Sequence, residues 1–286
     1  VITDKITITV ASADQLKLNI HSWGNPDNPP LLFLHGFGQT GLAWENSAKS
    51  LSTQGYYCLA PDMRGHGDSD WACDQQYPLE IFGDDIRSIL RTLNTPPVVI
   101  GASMGGLMAM AVEAESPGNY FRSMVLVDIT PRWEKDGVNR ILAFMQAYPE
   151  GFESLNEAQS AINAYLPHRR QTSNPQRLQK VLRRKDNGRL RWHWDPALLK
   201  MATAPDDAEQ NSVTHARALT LPVLLVSGGM SDVVSKQTIR EFLDLVPHAT
   251  HVEISKAHHM VAGDDNDGFT HEIINFIVDK TAVRTA

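Results

Sequence analysis

A chain of 286 residues with 42% hydrophobic and 21% charged residues, 19 Gly and 16 Pro has ordinary globular composition, which excludes a disordered, collagenous or coiled-coil protein. Its 26 Lys and Arg against 33 Asp and Glu give a net charge of −7, the wrong sign for a general nucleic-acid binder. No apolar run reaches the roughly 18 residues of a membrane helix. Residues Val1-Ile2-Thr3-Asp4-Lys5 carry no basic-then-apolar signal pattern, and Cys58 and Cys73 are too few for a disulfide framework. The expectation is a soluble cytoplasmic protein with two free thiols, which engages neither nucleic acid nor membrane; a homodimer stays open.

Residues 5–10 and 15–23 alternate with period two and predict an antiparallel hairpin at a sheet edge, closed by the turn cluster Gly24-Asn25-Pro26-Asp27-Asn28-Pro29-Pro30. Residues 31–34 form a continuous apolar run, the mark of a strand buried on both faces. The same form returns at 56–60, 98–100, 124–127, 223–226 and 251–254. Helical periodicity separates these runs at 42–52, 79–93, 104–115, 236–245 and 267–279. This alternation predicts an α/β protein whose mostly parallel, eight-stranded sheet is flanked by helices.

From Pro131 to Val213 the rhythm stops. No buried-strand pattern occurs there, only helical pattern, charge and Trp133, Trp192 and Trp194. Some 80 residues exceed any simple βα connection. Residues 131–213 are therefore predicted to be an inserted, mostly helical subdomain, with 1–130 and 214–286 forming the core. Pro131–Ser212 carries 13 Lys and Arg against 10 Asp and Glu, so the insertion is basic and the remainder acidic.

Chemistry concentrates at Gly101-Ala102-Ser103-Met104-Gly105, which follows an apolar strand and precedes an Ala- and Met-rich helix pattern. A strand feeding a helix through G-x-S-x-G is a nucleophile elbow, where glycines permit a sharp turn that lifts the serine hydroxyl clear. The helix N-terminus beside it favours developing negative charge. A serine needs a base, and candidates lie late in the chain in Ala257-His258-His259-Met260. His35, His66, His193 and His215 fit packing or backbone hydrogen bonding. The histidines are scattered, and His258-His259 lacks the i,i+4 spacing of a helical zinc pair, so neither metal nor cofactor is expected.

At this point the sequence resembles the α/β-hydrolase superfamily, over nearly the whole chain. The resemblance rests on His35-Gly36-Phe37, on Asp62-Met63-Arg64-Gly65-His66-Gly67-Asp68-Ser69, on the elbow and on the late histidine. It implies the α/β-hydrolase fold with the insertion as a helical cap, Ser103 as nucleophile and His259 as general base, third in the family's A-G-H pattern. It further implies an oxyanion hole formed by the backbone N–H groups of Phe37 and Met104, and a supporting role for the Arg64 loop.

The acid of the triad has two candidates. The family spacing G-x-x-D-x-x-V, laid onto Gly228 and Val234, puts Ser231 in the acid slot and leaves Asp232 one position late. Asp128 ends the sixth predicted strand, where haloalkane dehalogenases and some small esterases carry their acid. Asp128 is therefore favoured, with Ser231 as a supporting hydroxyl and Asp232 as the alternative. Ser103 excludes epoxide hydrolase and dehalogenase chemistry, which needs an elbow aspartate in these folds.

The expected activity is hydrolysis of a small-molecule carboxylic ester or thioester through an acyl-enzyme, as in carboxylesterases. The alternatives are a C–C bond hydrolase or lyase on the same triad, and a slow-turnover ligand receptor. Residues 168–191 hold nine Lys and Arg and one acid, either a solvated face or an attraction for anionic substrates. Trp192 and Trp194 either roof an acyl pocket or anchor the cap.

Overall fold

The computed structural model describes residues 5–166, 178, 181–202, 207–264 and 266–282. Strands β1 (Ile6–Ala11) and β2 (Lys17–Trp23) pair antiparallel at the sheet edge, with Ile8 opposite Ile20. Next come β3 (Pro30–Leu34), β4 (Tyr57–Pro61), β5 (Val98–Ala102), β6 (Ser123–Val127), β9 (Val223–Gly228) and β10 (Thr250–Ile254). The eight-stranded order is β1-β2-β4-β3-β5-β6-β9-β10; β2 meets β4 antiparallel and all later pairings are parallel.

Both faces of the central strands are buried because side chains alternate across a pleated strand. On one face Leu32, Leu34, Val99 and Leu126 pack with α2 (Leu79–Leu90), α3 (Met104–Glu115) and α8 (Lys236–Leu245). On the other, Leu31, Phe33, Ile100 and Val125 pack with α1 (Glu45–Thr53) and α10 (Asn266–Ala282). Two helix boundaries differ from the sequence expectation. The first helix opens as a 3-10 turn, Gly41–Trp44, capped by the Thr40 hydroxyl. Helix α2 stops at Leu90, because Pro96-Pro97 ahead cannot continue a helix and force an extended approach.

Between β6 and β9 the chain leaves the sheet. It forms α4 (Lys135–Gln146), α5 (Leu155–Tyr165), the short strands β7 (Leu182–Arg184) and β8 (Leu190–Trp192), α6 (Leu199–Ala202) and α7 (Asp207–Arg217). Beside the helices of the mostly helical insertion, β7 and β8 form an antiparallel hairpin. Its strands are three residues long and Arg-rich, so no apolar run betrays them. The available signal is Asn187-Gly188, with Gly188 at φ +80° in the turn. The hairpin covers a small core of Phe152, Ala158 and Ala161. The expected boundary at 213/214 falls inside α7, which packs against α3 and α8. Among the described residues no helix is long and apolar enough to cross a membrane.

One buried charge ties the loop after β4 to its surroundings. The guanidinium of Arg64, fully buried, donates to Asp85 at 2.7 and 2.6 Å and to Asp14 at 2.9 and 3.0 Å. Burial opposes the charge, but the two carboxylates raise the Arg64 pKa above its ordinary value. Asp85→Ala would leave the guanidinium with Asp14 alone, whose side chain is 42% exposed. That variant is expected to lose about 3–5 kcal/mol of stability, read as a lower urea midpoint at unchanged slope. Asp14→Ala should lose about 1 kcal/mol or less.

Candidate active site

Ser103 sits between the end of β5 and the start of α3, with φ +48° and ψ −118°. A side chain at positive φ is strained, and surrounding structure must hold it there. The flanking glycines show how. A Cβ on Gly105 would lie 2.5 Å from the Leu34 carbonyl oxygen, and one on Gly101 would lie 2.7 Å from that of Gly105. Strand, turn and helix approach so closely that only hydrogen fits. Ser103 N–H donates to the Val127 carbonyl at 3.1 Å, binding the elbow to β6.

Asp128 follows β6 directly, also at positive φ (+48°), and is wholly buried. Its carboxylate has three donors. Oδ1 accepts from Gly228 N–H at 2.8 Å, while Oδ2 accepts from the Ser231 hydroxyl at 2.5 Å and faces His259 Nδ1 at 2.8 Å. An ionised carboxylate can only accept, so Nδ1 carries the imidazole proton and Nε2 is left as a base. His259 stands on the loop after β10, which is bolted to the loop after β9: Gly229 N–H donates to Ile254 and Met230 N–H to Ala257.

Asp232 does not reach His259. The turn after β9 directs Ser231 inward, where its oxygen also accepts from Val233 and Val234 N–H at 3.1 Å each. Asp232 is turned outward instead, with Oδ2 at 3.1 Å from Arg140 Nη2 on α4. One residue of displacement in this turn separates burial from the surface.

Ser103, His258 and His259 line one cavity of about 790 Å³ between the sheet's loops and the inserted segment. Gly36 and Phe37 form one wall, where a Cβ on Gly36 would lie 3.4 Å from Ser103 Cβ. The first-turn N–H of Met104 and the N–H of Phe37 bond to no other backbone group among the described residues. His35 is structural: its Nδ1 donates to Gly36 O and its Nε2 accepts from Met63 N–H. Burial lowers its pKa, favouring the neutral ring those bonds require. Among the described residues no group of three His, Cys, Asp or Glu side chains is placed to hold a metal ion.

Both tryptophans line the cavity, Trp194 packing on the core and Trp192 packing within the insertion. Trp194 lies 6.1 Å from the Phe37 ring, and Trp192 packs edge-on to Phe152 at 5.2 Å. The rest of the roof is not among the sequence-derived candidates. It includes Ile141, Phe144 and Met145 on α4 and Gln159, Ile162 and Asn163 on α5. Each trio has i, i+3, i+4 spacing, a readable helix stripe, but nothing in the sequence says which cavity it faces.

The basic stretch 168–191 divides. Arg169, Arg170, Arg177 and Lys180 lie outside the described residues. Arg183 pairs with Asp68, Arg189 with Glu153, and Arg191 stacks over Trp71 at 4.4 Å. Arg183 and Arg191 thereby hold the insertion to the core, Arg189 bonds within the insertion, and none of the three lines the cavity.

Comparison with known proteins identifies the fold family. The family model described as "alpha/beta hydrolase fold" matches residues 29–265. The chain is 30% identical to esterase Rv0045c of Mycobacterium tuberculosis, over 90% of this chain and 85% of that protein. It is 27% identical to a 3-hydroxybutyrate-oligomer hydrolase of Cupriavidus necator, over 87% and 89% respectively. The crystal structure of E-2-(acetamidomethylene)succinate hydrolase superposes with a TM-score of 0.85 at 26% identity, covering 96% of this chain and 99% of that one.

The carboxylate contact predicts a fixed tautomer. In ¹⁵N-labelled protein the His259 ring should carry its proton on Nδ1. Asp128→Asn, whose amide can donate, should move that proton to Nε2. Asp232→Asn should leave the His259 spectrum unchanged.

Proposed function

The chain belongs to the α/β-hydrolase fold family, and from that premise we propose that it is a serine esterase acting on carboxylic esters. The observation that carries this reading is the 2.8 Å contact of buried Asp128 with His259 Nδ1, in a cavity shared with a serine at positive φ. An orienting acid, a base with its free nitrogen unprotonated and a nucleophile that lines the cavity form the constellation for acyl transfer.

In the proposed reaction His259 Nε2 takes the Ser103 proton as Oγ attacks the ester carbonyl carbon. Negative charge moves to the carbonyl oxygen, where Phe37 and Met104 N–H meet it; each such donor is commonly worth about 3–4 kcal/mol. The C–O bond then breaks, and His259 returns the proton to the departing alcohol. A water molecule, deprotonated by the same nitrogen, attacks the acyl-enzyme and releases the acid. Asp128 remains ionised and balances the transient imidazolium.

The size and lining of the cavity support an apolar acyl or aryl group. About 790 Å³ lies within the range of small-molecule sites, and Ile141, Phe144, Met145 and Ile162 supply its apolar surface. A second reading, cleavage of a bond other than an ester, is favoured by the likeness to (acetamidomethylene)succinate hydrolase.

A fluorophosphonate probe should label wild type at Ser103, and Ser103→Ala should remain folded and unlabelled. Along a p-nitrophenyl ester series, activity should rise from acetate to medium-chain acids. Labelling without ester turnover would favour the second reading, and labelling elsewhere would remove Ser103 from the reaction. Asp128→Asn should lower kcat on the order of 10⁴-fold through the wrong tautomer, while Asp232→Asn stays near wild type. His259→Ala should abolish turnover, and His258→Ala should retain a substantial part.

A further inference from the structure

Two histidines outside the triad grip the residue next to Phe37. Gly38, at φ +74°, donates its N–H to His66 Nε2 at 3.2 Å and accepts through its carbonyl from His193 Nε2, also at 3.2 Å. His66 belongs to the core loop after β4, whereas His193 belongs to the inserted segment, one residue past β8. One glycine is thus held, through its two flanking peptide groups, from two parts of the fold.

The remaining ring nitrogens settle both tautomers. His66 Nδ1 faces the Arg64 carbonyl at 3.1 Å, so it donates and leaves Nε2 to accept from Gly38. His193 Nδ1 accepts from Gly67 N–H at 2.8 Å, so its proton is on Nε2, aimed at the Gly38 carbonyl. Both rings must be neutral for all four bonds to exist. They are buried, and burial lowers both pKa values, that of His193 to about 4.

The strap carrying His193 is itself pinned. His193 N–H donates to Val181 O, Asp195 N–H to Gly65 O, and the Asp195 carboxylate accepts from Tyr77 OH at 2.7 Å. The Phe37 ring stands edge-on to His66 at 6.0 Å, with Trp194 on another side. The backbone around Phe37 is therefore set jointly by the core and by the insertion.

We propose that His193 is a positioning residue: through the Gly38 carbonyl, the inserted segment sets where the Phe37 N–H points. This rests on the esterase reading, in which that N–H meets the developing oxyanion. Binding of the ester depends on the cavity walls, but stabilisation of the tetrahedral intermediate depends on the placement of that donor. A small displacement of the loop then lowers kcat and leaves KM alone.

The test compares three variants on a p-nitrophenyl ester. His193→Phe keeps a ring of similar size but offers Gly38 no donor; kcat should fall about 10-fold or more with KM within about two-fold. His193→Gln can place an amide N–H near the Gly38 carbonyl and should recover part of the loss. His193→Asn keeps an acceptor for Gly67 N–H but is too short to reach Gly38, so it should behave like Phe even if the Phe variant does not fold.

A trifluoromethyl ketone, whose adduct with Ser103 carries an oxyanion, should lose affinity in step with kcat. Unchanged kcat in the Phe and Asn variants, a loss that falls on KM, or an undiminished ketone affinity would each overturn the role of His193. The esterase reading is judged separately, by fluorophosphonate labelling of Ser103 and turnover in wild type. If those fail, the fault lies there and not in the Gly38 clamp.

Discussion

A carboxylate taken wholly out of water must find donors for its lone pairs or give up its charge. Asp128 finds three, and each comes from a different place. Gly228 N–H ends β9, Ser231 lies in the turn beyond it, and His259 stands on the loop after β10. The side chain sits at the close of β6, so its bonds gather the ends of three neighbouring strands around one point. That gathering brings a histidine 131 residues further along the chain into the cavity that Ser103 also lines.

The elbow itself depends on crowding. Ser103 and Asp128 share an unfavourable positive φ, and each follows a buried strand that cannot move. The closeness of β3, β5 and α3, visible in what a methyl group on Gly101 or Gly105 would strike, leaves the serine no relaxed alternative. Strain of this kind, about 1–3 kcal/mol per residue, persists because the sheet is buried on both faces. The site is rigid at its floor.

The roof has a different construction. The inserted segment contributes helix stripes to the cavity and fastens itself through Arg183, Arg191 and the strap 193–195. Its hydrogen bonds end on the same loops that surround Ser103, so roof and floor meet at Gly38 and Gly65. Of the basic residues that look like a field for anionic substrates, Arg183 and Arg191 hold this segment to the core.

Apolar runs such as Leu31–Phe33 and Val98–Ile100 are legible because a strand covered on both sides tolerates little else. The elbow is legible because close backbone approach demands glycine at two fixed positions. The hairpin at 182–192 is not legible because its strands are three residues long and carry arginine in place of an apolar run. For the acid, spacing alone left Asp128 and Asp232 both standing, since a one-residue shift in a turn changes direction, not sequence pattern. Only the folded turn shows Ser231 inward and Asp232 toward Arg140. The sequence by itself determined the sheet and the elbow, because these follow from local periodicity and backbone sterics, while the late histidine came from the resemblance to the α/β-hydrolase family. Tertiary structure decided which carboxylate meets His259 and how His66 and His193 close on Gly38, because those contacts join residues far apart in the chain and depend on side-chain direction.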